Sequence, residues 1–287
     1  MSRGLGDVYK RQLTLRLFKN YGGILQNYAL SRFLQKNGYD VETINIVWSY
    51  QLNGVKKYFV WLKRLVRNML IGKWYSLDEE KILRNNELVA AQRVNAFKEK
   101  NIPLSQKVYS LPGADFSDIS NKYDTIIVGS DQVWRPKYTG GIEKYFLSFA
   151  DNRIKKIAYS ASFGTDKNEY SFYEKWVCGK LIKRFDAISV REESAISLIR
   201  EQLHWDVDVI QTLDPTMLLD ITDYKSLVGQ VVNNNKIFVY ILDSSVQKIS
   251  FVEKLEKVLC MPGFTITPKG MDNKSAYVTV SYTHLTL

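Results

Sequence analysis

Histidine and cysteine are nearly missing from this chain, with two of each in 287 residues. His204 and His284 are too few and too far apart to build a catalytic triad or a zinc cluster. Cys178 and Cys260 have neither metal-type spacing nor the density of a disulfide framework, so the chain is expected to be reduced and cytoplasmic. There is no apolar run long enough to cross a membrane, and the opening residues lack the apolar core of a signal peptide. Acidic residues are also short: 30 against 40 Lys and Arg, a net charge of +10. That excess favours acidic partners, either nucleic acid, anionic lipid or a phosphorylated small substrate. The aromatic residues follow core periodicity and form no stacking platform, which argues against nucleic acid. Hydrophobic content of 45% makes the chain globular, and its length suits two domains.

What is present centres on Tyr123 to Pro136. Thr125 to Val128 is a short β-branched apolar run, the pattern of a strand buried on both faces of a parallel sheet. Gly129, Ser130 and Asp131 follow it, then Gln132, Trp134 and Arg135. Small and acidic groups are thereby placed where open α/β sheets bind ligands. The plainer alternative is a glycine turn in which Ser130 or Asp131 caps a helix.

Upstream, Leu13 to Phe18 alternates as a first strand. Ile24 to Asn37 carries helical spacing closed by Gly38, and Val41 to Val47 is a second strand. This is a βαβ unit with Gly22 and Gly23 at its first turn, where backbone amides can hold a phosphate or carboxylate. A purely steric role for the glycines is equally open. Trp48 to Trp74 is basic, aromatic and amphipathic. It suits packing on its own domain or contact with an anionic membrane surface. Residues 48–100 as a whole read as a helical excursion, followed by an irregular stretch after Pro103.

Downstream, Lys156 to Ser160 is a strand ending in Ala161-Ser162-Phe163-Gly164, and Tyr170 to Lys183 is a helix. Ala187 to Val190 is a strand, after which Arg191 stands at a strand-to-helix junction, suited to an anion or to an ordinary ion pair. Val207 to Gln211 is a further strand. The first domain is expected over 13–220, an asparagine-rich linker over 221–235 and the start of a second α/β domain over 236–276. Residues 1–12 and 277–287 read as translated adaptor sequence, foreign to the fold.

Six segments in this order resemble one family: Asn20 to Leu30 (NYGGILQNYAL), Val128 to Trp134 (VGSDQVW), Tyr145 to Phe149 (YFLSF), Ala158 to Gly164 (AYSASFG), Ser189 to Glu192 (SVRE) and Leu213 to Thr216 (LDPT). The chain resembles the polysaccharide pyruvyl transferases over nearly all of residues 13–259. The resemblance implies an α/β fold with a Rossmann-like parallel sheet, flanking helices and a GT-B-like two-domain architecture whose second domain is truncated. It implies transfer of pyruvyl from phosphoenolpyruvate to hydroxyls of a cell-surface glycan or its lipid-linked precursor, with no cofactor and no metal. Asp131 is then the expected base or sugar contact, and Arg191 and Arg135 hold the donor's charges. Gly22, Gly23, Gln26, Gly129, Ser130, Gln132 and Ser162 are the expected backbone and polar contacts, with Trp134 stacking on a pyranose. The family's second-domain Asp-Ser-Phe-His-Gly type segment has no match, so this piece is expected to be inactive alone. The competing readings are a nucleotide-sugar glycosyltransferase and a non-catalytic membrane-surface module.

Overall fold

The structure, a computed structural model, describes residues 9–17, 20–47, 92, 94–109, 123–139, 141–228, 235–241 and 245–265. They divide after Asp220 into two compact units. The first is built on a seven-stranded sheet comprising β1 (Tyr9–Leu13), β2 (Asp40–Val47), β3 (Leu104–Tyr109), β4 (Thr125–Gly129), β5 (Lys155–Ala161), β6 (Ala187–Val190) and β7 (Ile210–Gln211). Their order is β3-β2-β1-β4-β5-β6-β7, and every neighbouring pair is parallel. The sheet is Rossmann-like: the chain winds outward from β1 in one direction, then restarts at β4 and winds in the other. The switch point lies between the adjacent strands β1 and β4, and ligands of such sheets bind outside the carboxyl ends of the strands there.

β4 shows why the sheet holds. All five of its residues are buried, and with a side-chain period of two they serve both faces. Ile126 and Val128 join one apolar cluster, while Ile127 joins the other, under helix α1 (Tyr21–Lys36), with Leu30, Leu34 and Val41. The first cluster carries an aromatic block. Trp134 stacks on Phe146 at 5.0 Å and 10°, Phe146 meets Trp205 edge-on at 5.5 Å, and Tyr170 meets Trp205 edge-on at 5.4 Å. Helix α2 (Phe172–Ile182) packs beside this block, its start fixed by a Ser171–Glu174 capping box. A short helix α3 (Glu193–Ser197) follows β6.

Several expectations are corrected. The first strand is Tyr9–Leu13, not Leu13 to Phe18, and residues 9–12, read as part of a foreign leader, pair within the sheet. Polarity gives no sign of this strand: Gln12 is buried with its amide oxygen accepting from Ser31 Oγ at 3.1 Å, so a polar residue is tolerated in a central strand. The stretch after Pro103, read as irregular, is the edge strand β3 beside β2. The strand expected over Val207 to Gln211 is confined to Ile210–Gln211. Residues 48–90, including the basic amphipathic segment, and 277–287 lie outside the described residues.

The second unit begins with a short helix, α4 (Ile221–Lys225), at the start of the expected linker. Beyond it, β8 (Ile237–Phe238) pairs in parallel with β9 (Gly263–Phe264), joined through helix α5 (Val246–Leu259) as one βαβ crossover. Among the described residues no helix is long and apolar enough to cross a membrane.

Candidate active site at the switch point

The switch point is organised by Asn20, which ends the loop after β1. Its Oδ1 accepts from the Gly23 amide at 3.1 Å and caps α1, while its Nδ2 donates to Asp131 Oδ2 at 3.2 Å. Asp131 follows β4, and its other oxygen accepts from the Gln132 amide at 2.8 Å. A Cβ at Gly23 would lie 2.7 Å from Asp131 Oδ2, so only glycine lets this carboxylate approach the helix start. Burial pushes the Asp131 carboxyl above the ordinary carboxylate range, and the Asp214 charge adds to that shift. The Gln132 amide, the Arg191 guanidinium and the Asn20 amide oppose it.

Arg191, at the end of β6, donates from Nη1 to the Ser130 carbonyl at 3.2 Å and from Nη2 to Ser162 Oγ at 3.1 Å. Two carboxylates flank it at 3.6 Å, those of Glu192 and Asp214. Asp214 lies beyond β7 and is fixed from both sides. Its Oδ1 accepts from the Thr216 amide and hydroxyl at 3.0 and 2.7 Å, and its Oδ2 from Gln26 of α1. Ser162, buried at the end of β5, donates from its hydroxyl to Glu192 Oε1 at 2.7 Å, and its amide donates to the Asp131 carbonyl at 3.3 Å. The carboxyl edges of β1, β4, β5, β6 and β7 thus deliver one continuous polar network.

Asp131, Ser130, Ser162, Arg191, Gly23 and Gln26 meet in that network. The Gly23 amide is already taken by Asn20, and Gly22 stands exposed on the first turn of α1. The Cα of Gly129 faces inward, where a Cβ would lie 2.9 Å from the Gln12 amide nitrogen, so its role is close packing. Two expectations fail on geometry. Trp134 is fully buried, sandwiched among Phe146, Phe163 and Phe185, with its indole nitrogen donating to the Tyr145 carbonyl. It offers no face to a sugar ring. Arg135 makes a two-pronged pair with Glu169 at 3.0 and 3.1 Å, and donates to Gln132 Oε1 at 3.2 Å. Arg135 and Gln132 therefore brace the rim, and Arg135's charge is spent on Glu169.

Asn20, Glu192 and Asp214 were absent from the sequence-derived site. All three lie within the family-like segments, but an amide before a glycine pair, a Glu after an Arg and an Asp before a proline each read as ordinary capping or turn residues.

No protein of curated function matches the chain. Among solved structures, an alpha-glucosyltransferase in complex with UDP and a 13-mer DNA containing an HMU base is similar, at TM-score 0.49 and 13% identity, over 88% of this chain and 55% of that one. The chain thus spans about half of that enzyme's length. A family model of polysaccharide pyruvyl transferase matches residues 20–261; the chain belongs to that family of transferases.

Proposed function

We propose that the chain carries the switch-point half of a phosphoenolpyruvate-dependent pyruvyl transferase, acting on paired hydroxyls of a cell-surface glycan or its lipid-linked precursor. The observation that carries this reading is the juxtaposition of Asp131, with its raised carboxyl, and Arg191 at one sheet edge. In the reaction the methylene carbon of the donor takes up a proton and its C2 becomes oxocarbenium-like. Two glycan oxygens form bonds to C2, the C2–O bond to phosphate breaks, and inorganic phosphate leaves. Of the two hydroxyl protons, one balances the new methyl group and the other leaves with phosphate.

A base with a raised pKa suits removal of a hydroxyl proton near neutral pH. Arg191 is placed to hold the donor's carboxylate or phosphate and to offset the charge that builds on the leaving group. We propose a GT-B-like arrangement for the complete enzyme, in which a second lobe supplies the remaining groups, so that this chain binds donor without turning it over. The basic balance of the chain suits an acidic donor and a cytoplasmic site at the inner face of an anionic membrane.

The test is a donor comparison by thermal shift, since a ligand that binds only the folded state raises Tm, increasingly so as its free concentration exceeds its Kd. Phosphoenolpyruvate raises Tm and UDP-glucose does not, and Arg191→Met abolishes the rise. A rise with the nucleotide sugar alone refutes the reading in favour of a glycosyltransferase.

A further inference from the structure

The Glu192 carboxylate occupies a place built for an anion. Its Oε1 accepts from Ser162 Oγ at 2.7 Å, from the Phe163 amide at 3.0 Å and from the Gly164 amide at 3.4 Å. The Arg191 guanidinium closes the set, 3.6 Å from Oε2 and 3.1 Å from Ser162 Oγ. Successive amides converge because Gly164 adopts φ +62°, and a Cβ there would lie 2.3 Å from Gln132 Cδ. Such a concave run of amides with a guanidinium beside it is a general binding device for phosphate and carboxylate groups.

Glu192 is weakly tied to everything else. It stands at the start of α3 but makes no side-chain cap bond to that helix, so withdrawing it leaves α3 as it was. Its side chain is 27% exposed, within reach of solutes. We propose that the Ser162–Gly164 turn and Arg191 form an anion site that Glu192 fills, and that an anionic group of the substrate competes with Glu192 for it. This rests on the pyruvyl-transfer reading for the identity of the substrate, and deepens it by naming where the donor's charge enters. Ser162 keeps its hydrogen bond to Arg191 throughout, so the guanidinium stays aimed at the site whichever carboxylate or phosphate is bound.

The experiment is calorimetric titration of the full chain with inorganic phosphate and, separately, with pyruvate, which distinguishes a phosphate from a carboxylate occupant. Glu192→Gln keeps an oxygen for the amides but removes the competing charge. At least one of the two anions then binds about tenfold more tightly than to the parent chain, the scale on which one like charge at contact acts in a partly exposed site. Glu192→Ala moves affinity in the same direction, and Ser162→Ala weakens binding in either background. Unchanged or weaker binding of both anions in folded Glu192→Gln and Glu192→Ala, judged by circular dichroism, makes Glu192 a structural clamp and overturns the proposal. Because the readout is simple anion affinity, it fails independently of the donor comparison: phosphate can tighten on Glu192→Gln in a chain that ignores phosphoenolpyruvate, and the reverse.

Discussion

Asn20 spends one amide on two tasks, donating from Nδ2 to Asp131 at 3.2 Å while its Oδ1 caps α1 through the Gly23 amide at 3.1 Å. The start of α1 and the proposed base are therefore set by the same side chain. Any change that shifts the first turn of the helix moves the carboxylate with it. This coupling makes the two neighbouring glycines inequivalent, although they are adjacent in sequence.

Gly23→Ala is expected to destabilise the fold by up to about 2 kcal/mol, because forcing an atom into filled space costs about 1–3 kcal/mol. The new Cβ would meet Asp131 Oδ2 at 2.7 Å. Against this stands a helix-propensity gain of about 1 kcal/mol, which the clash exceeds. Gly22→Ala faces solvent, but its Cβ would come 3.3 Å from Asn20 Oδ1, tighter than ordinary contact, so that oxygen must give by a few tenths of an ångström; this smaller displacement makes Gly22→Ala less destabilising than Gly23→Ala. Urea denaturation of the two variants reads the difference. Equal midpoints would mean that Asp131 does not press on the helix start.

Asp131→Asn is expected to raise stability at neutral pH while removing the proposed base. The Asp131 carboxyl is raised in the folded chain, mainly by burial, so the native state holds its proton where the unfolded chain has released it. A raised carboxyl pKa makes stability fall as pH climbs from the unfolded value, about 3.9, through the folded value. Above that window the full penalty is present, and the neutral amide escapes it. The variant should therefore melt higher than the parent chain at pH 7–8. Its advantage should vanish below about pH 4. A difference in Tm that is constant with pH would remove the titration argument.

Much of this architecture was legible because it is local. The β-branched run at Thr125 to Val128 and the helix closed by Gly38 each declare themselves by period and punctuation, and both strand and helix stand where they were expected. The first strand did not declare itself, because Arg11 and Gln12 are buried through hydrogen bonds and an ion pair rather than through apolarity. The site split in the same way. Asp131 and Arg191 could be named from their positions at strand ends. Asp214 could not, because its link to Gln26 spans 188 residues, and no local pattern carries a contact of that range. Trp134 was misassigned for a related reason: a tryptophan in a polar loop looks available, and only the packing of Phe146, Phe163 and Phe185 shows that it is not.

That burial gives Trp134 a distinct mutational signature. Trp134→Ala should cost about 3–5 kcal/mol, the range for truncating a large ring in a packed core. Trp134→Phe, which keeps the stack on Phe146 but loses the bond to the Tyr145 carbonyl, should cost less. In the folded Phe variant the affinity for a glycan acceptor, measured by titration calorimetry, should match the parent chain. A selective loss of acceptor binding would restore the stacking role.

The two thiols offer a test of the fold that needs no ligand. Cys178 is buried on the inner side of α2, and burial, with the charges of Glu143 and Glu174, drives its thiol far above the ordinary range. Thiol–disulfide chemistry proceeds through the thiolate, so a neutral, enclosed sulfur is inert. Cys260 is exposed at the end of α5. Ellman's reagent at pH 8 should therefore modify Cys260 at once and reach Cys178 only on unfolding. Because Cys178 packs in the same cluster as Trp134 and Phe146, the rate at which it becomes reactive in rising denaturant should follow the loss of the aromatic core, read in parallel by tryptophan fluorescence. Immediate reaction of both thiols in the native protein would mean that α2 does not close over this cluster.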